Sequence, residues 1–305
     1  MNSLPFTKNT CRSSRYIKCR TGFYPVLLAL LIAFLAGCRP VYDLTMPTNV
    51  MTKESTSMPS DARNTQHTPS WWRPAPGLTW QWQLDEEVDT SVEAEVYDID
   101  LYAPQEVIDA LHARGVRVIC YISVGSWENW RPDADQFPEE VLGRDYEGWP
   151  GERWLDIRRL DLLAPIMRAR LDLCAAKGFD GVEPDNIEIY DNRTGFPLTY
   201  ADQLAYARWL ADEAHARGLA IGLKNAPDMV ADSLEFFDFA ITEDAFYYNW
   251  IEEMLPFVEA GKAVFAAEYT DTGVDFKAAC EWGREHNVSF ILKNRILTAF
   301  RLTCP

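Results

Sequence analysis

The sequence predicts one (β/α)₈ barrel, a TIM-barrel-type α/β fold, over residues 71–305. Three observations predict it. First, a helix end closed by Gly or Asn precedes a mostly apolar run five times: Gly115 before Val116–Ile122, Gly178 before Phe179–Glu183, Gly218 before Leu219–Leu223, Gly261 before Ala263–Ala267, and Asn287 before Val288–Leu292. Caps of that kind end helices, and strands with near-continuous apolar runs belong to parallel sheets covered on both faces. Second, eight strand-like runs can be counted. Third, all eleven Trp lie from Trp71 onward, and the about 235 residues from there suit a single barrel.

The chain starts differently. Lys8, Arg12, Arg15, Lys18 and Arg20 form a basic stretch without acidic residues, and an apolar run from Phe23 to Ala36 follows. A basic start, a short apolar stretch and small residues at its end make an export signal over residues 1–37. The run is shorter than the ~18 residues of a spanning helix. Leu35-Ala36-Gly37-Cys38 resembles the lipobox of bacterial lipoproteins. That resemblance implies lipidation of Cys38 and a membrane anchor in the cell envelope. Arg39, in place of Asp, implies the outer membrane if the source has one. Residues 38–70 are rich in Ser, Thr, Pro and Asn. Such a stretch buries too little to order itself and reads as a tether.

From Trp71 the expected strands are Leu78–Gln83, Ala94–Ile99, Val116–Ser123, Asp180–Asp185, Leu219–Lys224, Phe237–Glu243, Ala263–Glu268 and Val288–Lys293. Helices fill the intervals, as over Tyr200–Arg217, where Leu204, Ala207, Leu210, Ala211 and Ala214 share a side. Residues 125–161 are too long for an ordinary loop. They are expected to carry short helices or to form a wall of the cleft.

Charge and cysteine content narrow the function. The hydrophobic share of 48% and charged share of 25% are ordinary for a globular chain. Without residues 1–37, which hold five basic and no acidic residues, the net charge of −17 becomes −22. That argues against nucleic acid and suits either a cationic partner or solubility alone. Beyond Cys38 four cysteines remain, and disulfides are plausible in an oxidising compartment. Of three possible pairings, proximity in the expected barrel favours Cys120–Cys174 and Cys280–Cys304. No Cys-x-x-Cys pair suggests a zinc ribbon.

A barrel's active site lies at the C-terminal ends of its strands. There the sequence places Asp98 and Asp100, Ser123 to Glu128, Glu183 to Asn186, Lys224-Asn225, Thr242 to Tyr248, Glu268-Tyr269 and Lys293-Asn294. His112, His215 and His286 fall at helix ends before strands, on the opposite face. A His-ligated metal or a Ser-His-Asp triad at the rim is therefore not expected, and neither a metal nor a cofactor is. Carboxylate chemistry remains. Glycoside hydrolysis needs two carboxyl groups facing each other, and Asp185 and Glu243 end different strands.

Four segments then carry a specific resemblance. They are Val118-Ile-Cys-Tyr-Ile-Ser-Val-Gly-Ser-Trp-Glu128, Lys177-Gly-Phe-Asp-Gly-Val-Glu-Pro-Asp-Asn186, Gly222-Leu-Lys-Asn225 and Ile241-Thr-Glu-Asp-Ala245. In this order they resemble the endo-α-1,4-polygalactosaminidase family, glycoside hydrolase family 114, over residues 71 to about 303. The resemblance implies a cofactor-free barrel hydrolase of α-1,4-linked galactosamine polymers. It also implies that Asp185 is the nucleophile and Glu243 the general acid/base of a retaining mechanism.

Other rim residues have two readings each. Lys224 keeps Asp185 ionised or forms a structural ion pair. Ser126, Asn186 and Asn225 bond sugar hydroxyls or hold loops. Trp127, Tyr190 and Tyr247 stack on sugars or belong to the core. Asp100 and Glu268 pair with substrate amines or with the protein's own cations. The partner expected is a cationic amino-sugar polysaccharide, bound by a monomer. A different amino-sugar or cell-wall glycan, or a silent surface lectin, remains open.

Overall fold

A computed structural model describes residues 71–305. The export signal, Cys38 and the tether lie outside the described residues. In chain order the elements are β1 (Trp80–Gln83), β2 (Val96–Asp100), α1 (Gln105–Ala113), β3 (Arg117–Ser123), β4 (Ser126–Glu128), β5 (Leu142–Asp145), β6 (Glu152–Leu155), α2 (Leu160–Ala176), β7 (Gly181–Asp185) and α3 (Tyr200–Ala216). Then follow β8 (Ala220–Lys224), α4 (Val230–Ser233), β9 (Phe239–Glu243), α5 (Leu255–Glu259), β10 (Val264–Tyr269), α6 (Phe276–His286), β11 (Ser289–Lys293) and β12 (Leu302–Thr303).

Eight strands, β1, β2, β3 and β7 to β11, pair in parallel in chain order and form the (β/α)₈ barrel. The five caps read from sequence all adopt positive φ: Gly115 at 78°, Gly178 at 86°, Gly218 at 74°, Gly261 at 75° and Asn287 at 56°. Strand side chains alternate between faces. One face packs Trp80, Trp82, Ile119, Phe239, Ile241 and Phe265 into the barrel interior. The other packs Val118, Cys120, Val182, Ile221 and Leu223 against helix residues such as Leu171, Leu210 and Ala214.

Three features depart from eight regular units. No helix joins β1 to β2, α4 has only 4 residues, and α5 has only 5. No helix follows β11; instead β12 pairs antiparallel with it. Side chains bridge the seam between β11 and β1. Trp80 Nε1 donates to the Ser289 carbonyl at 2.9 Å, and Lys293 Nζ reaches Gln81 Oε1 at 3.2 Å. Arg301 donates to the Trp80 carbonyl at 2.6 Å. Residues 125–161 build a small antiparallel sheet of order β4-β6-β5, with two 3₁₀ turns, after the third barrel strand. Disulfides join Cys120 to Cys174 and Cys280 to Cys304. The first ties β3 to α2, and the second ties α6 to the segment that covers the seam.

Among the described residues, His112, His215 and His286 lie at helix ends before strands, at the N-terminal face. His112 Nε2 meets Asp180 at 3.0 Å, and His215 Nε2 meets Asp238 at 2.8 Å. Both aspartates lie at the starts of strands.

Candidate active site

The site is organised around Lys224, whose side chain is 2% exposed. Strand alternation brings it inward at the end of β8. Its Nζ lies 2.7 Å from Glu183 Oε1, 2.7 Å from Asp185 Oδ1 and 3.2 Å from Glu243 Oε2, and 4.8 Å from the centroid of the Trp82 ring. Burial alone pushes an ammonium toward neutrality. The charges of Asp185, Glu183 and Glu243 outweigh it and hold Lys224 well above the ordinary lysine pKa. One cation thus serves three carboxyl groups from two strands.

Asp185 and Glu243 keep one side open, with side chains 20% and 27% exposed. The Tyr121 hydroxyl donates to Asp185 Oδ2 at 2.9 Å. Glu243 Oε1 accepts from the Tyr269 hydroxyl, and Oε2 from Asn225 Nδ2 at 3.3 Å. Asn225 also fixes the strand end, because its Oδ1 accepts from the Glu243 backbone N–H at 2.9 Å. Burial pushes Glu243 up; the Lys224 charge and the donors Tyr269, Lys224 and Asn225 prevail and leave it below the ordinary glutamate pKa. The free site therefore holds Glu243 ionised.

Beneath this pair lies a second pair of carboxyls. Asp98 and Glu183 are fully buried, and neither Asp98 oxygen nor Glu183 Oε2 has a donor among the described residues. The two carboxyls meet each other. Apart from Lys224 on Glu183 Oε1, no donor reaches these two abutting acids, and a proton shared between their facing oxygens satisfies both. Burial and the Glu183 charge drive Asp98 far up, and burial raises Glu183 to about 7 against the pull of Lys224. The arrangement leaves Asp98 neutral and Glu183 free to face Lys224.

The backbone at the rim is strained in a regular way. Each of Asp185, Lys224 and Glu243 is followed by a residue in the left-handed region: Asn186 at φ 61°, Asn225 at 52° and Asp244 at 52°. Asn and Asp tolerate this conformation best among residues with a side chain. Strain of this kind clusters at functional sites.

Of the residues read from sequence, Asp185, Glu243, Lys224 and Asn225 come together. Several others are otherwise engaged. Glu268 is fully buried and accepts the backbone N–H groups of Phe246 at 2.8 Å and Tyr247 at 3.2 Å. Asp100 accepts the Tyr102 N–H at 2.8 Å and pairs with Arg131. Both carboxyls are thus spent on the protein's own loops rather than left for substrate amines. Ser126 and Asn186 are buried: Asn186 Nδ2 donates to Ser126 Oγ at 3.1 Å, and Ser126 Oγ donates to Glu152 at 2.6 Å. They fasten the small sheet to the rim. Trp127 is half-buried, its Nε1 donating to the Ala134 carbonyl at 2.9 Å. Tyr190 packs edge-on against Tyr200 and bonds Asp228 at 3.2 Å. Tyr247 is 41% exposed against Tyr248.

Asp98, Glu183 and Tyr269, placed at the rim by the sequence without a role of their own, join the site, as does Tyr121, which the sequence marks only by its place inside a quoted segment. Burial and the charges of Glu188, Asp185 and Glu243 raise the Tyr146 hydroxyl, in the turn between β5 and β6. Burial and the Asp185 charge likewise raise Glu188 to about 7. Among the described residues no three His, Cys, Asp or Glu side chains are grouped to hold a metal ion.

Residues 61–305 match the sequence model of glycoside-hydrolase family GH114. The chain belongs to family GH114. It is a glycoside hydrolase of that family. The structure of Aspergillus fumigatus Ega3, solved in complex with galactosamine, is similar at 41% identity and a TM-score of 0.73, over 78% of this chain and 100% of that one. The glycoside hydrolase domain of PelA from Pseudomonas aeruginosa shares the fold at 13% identity and a TM-score of 0.58, over 74% and 98% of the two chains. An uncharacterized protein of Deinococcus radiodurans is 28% identical over 63% of this chain and 69% of its own length.

Proposed function

We propose that this GH114 hydrolase cuts α-1,4-linked galactosamine and N-acetylgalactosamine polysaccharide internally, using Asp185 as nucleophile and Glu243 as acid/base. The observation that carries the reading is that Asp185 and Glu243 touch one ammonium, at 2.7 and 3.2 Å. The two contacting oxygens can be no further apart than those distances laid end to end. That supports a retaining reaction, whose carboxyls lie ~5–5.5 Å apart, over an inverting one at ~6.5–9.5 Å. The substrate class rests on the likeness to Ega3, which was solved with galactosamine. A net charge of −17 suits a cationic polymer.

In the first step Glu243, having taken up a proton from water beforehand, passes it to the departing glycosidic oxygen while an Asp185 oxygen attacks the anomeric carbon. Lys224 and Tyr121 hold Asp185 in place, one on each oxygen. In the second step Glu243 takes a proton from a water molecule, whose oxygen displaces Asp185 and restores the original configuration. No cofactor takes part. The enzyme is proposed to act as an exported monomer held at the bacterial cell envelope through lipidated Cys38, reached across the tether of residues 38–70. Leu35 to Cys38 supports the anchor, and Arg39 supports the outer membrane in a source that has one.

Mass spectrometry of products from polygalactosamine tests the reading. A ladder of oligomers from internal cleavage is expected. Monomer release alone would replace internal with terminal cleavage. Cleavage only of another amino-sugar or cell-wall glycan would replace the substrate.

A further inference from the structure

We propose that Trp130 and Trp149 form an outer binding platform for the amino-sugar polymer, on the small sheet beside the active site. The proposal rests on the substrate reading above and extends it from the reacting sugar to the chain beyond it. Trp130 is 54% exposed and Trp149 50%. Tryptophan is highly buried on average, so two half-exposed indoles on one element call for an occupant.

Three observations join them to the site. Gly125, just before β4, packs on the residue after Asp185 so closely that a Cβ there would fall 1.8 Å from the Asn186 carbonyl oxygen. The Gly125 carbonyl accepts the Leu155 N–H at 3.0 Å, fixing the central strand β6 to the residue that precedes β4 at the rim. The Tyr146 ring packs on Trp154 of β6 with centroids 4.0 Å apart, and its backbone carbonyl accepts the Trp149 N–H at 3.0 Å in a tight turn. Trp130 lies across the same turn. The Asn129 N–H donates to the Gly151 carbonyl at 3.0 Å, and a Cβ at Gly151 would come within 3.0 Å of Trp130 Cζ3. Gly151, at φ 98°, is the residue that lets this indole lie against the turn.

The chemistry of the patch selects its ligand. A sugar offers an apolar face of C–H groups to an indole, and a free amine offers an ammonium that is attracted to the same ring. Asp145 and Glu147 are exposed on the same turn and add negative charge. A galactosamine polymer supplies both features along its length.

The test compares full-length wild type with the Trp130→Ala/Trp149→Ala double variant. On polygalactosamine against a short galactosamine oligomer, the ratio of kcat/KM values is expected to fall roughly tenfold in the variant, with its Tm kept. An unchanged ratio overturns the platform. Affinity electrophoresis in gels containing polygalactosamine, in a Glu243→Gln background, separates this proposal from the substrate reading. Retardation that the two Trp substitutions abolish supports the platform, even where wild type cuts a different glycan. Equal migration with and without the indoles overturns it. So does loss of a dimer in sedimentation on substitution, which would assign the patch to a second copy of the chain.

Discussion

The Tyr269 hydroxyl donates to Glu243 Oε1, tying the end of β10 to the carboxyl that ends β9. A donor to the charged form lowers a carboxyl's pKa. The first chemical step requires Glu243 protonated, so activity falls as pH rises through its pKa, on the acid side of the ordinary glutamate value. Tyr269→Phe removes one stabiliser of the anion and raises that pKa. The alkaline limb of the kcat/KM profile is expected to move to higher pH in this variant. A limb that stays in place would detach Glu243 from the acid role.

The Asp98–Glu183 pair makes stability depend on pH. The folded pair keeps a proton that the unfolded chain releases in the ordinary carboxylate range. Above that range the folded state binds more protons, so stability falls with rising pH until Asp98, held far above the ordinary carboxylate range by burial and the Glu183 charge, itself ionises. Asp98→Asn offers Glu183 a donor that does not titrate. From about pH 5 to about pH 8 the wild-type Tm is expected to fall by several degrees more than that of Asp98→Asn. Scanning calorimetry across this range checks it; parallel slopes would mean that Asp98 carries no proton.

The strands were legible because each changes abruptly from apolar to polar at the rim. Gln83, Ser123, Asp185, Lys224, Glu243 and Lys293 are strand ends both in the sequence reading and in the structure. The helix-end Gly and Asn residues marked where strands begin. The absent first helix and the seam strand β12 were not legible, because side chains such as Trp80, Gln81 and Arg301 do the closing there. At the site, chain order showed which carboxyls end strands but not what faces them. Glu268 and Asp100 look as free in the sequence as Asp185 does. Only the fold shows that the Phe246 N–H and Arg131 occupy them. The contacts of Tyr121 and Tyr269 likewise depend on strand neighbours brought together by the barrel.

The disulfides differ in what they close. Cys120–Cys174 spans 54 residues and Cys280–Cys304 spans 24. Loop-closure entropy gives about 4 kcal/mol for the first and about 3.5 kcal/mol for the second. Cys120→Ala/Cys174→Ala is expected to lower Tm at least as far as Cys280→Ala/Cys304→Ala. Thiol titration of the unreduced, unfolded wild-type domain should find none of these four cysteines free.

The proposed lipidation requires the Cys38 thiol. Cys38→Ser is expected to abolish palmitate labelling and to slow removal of the export signal. Labelling at the wild-type level would contradict the anchor.

Single-turnover hydrolysis of a galactosamine oligomer by Asp185→Asn and Glu243→Gln, measured beside thermal melts, bears most directly on the two-carboxylate mechanism. Each substitution keeps the side chain's size, and Lys224 retains Glu183 at 2.7 Å in both, so the variants are expected to fold. Loss of the acid/base should slow turnover by about 10²–10⁴, and loss of the nucleophile by at least as much. Near-wild-type turnover by either folded variant would contradict the mechanism and remove that residue from it.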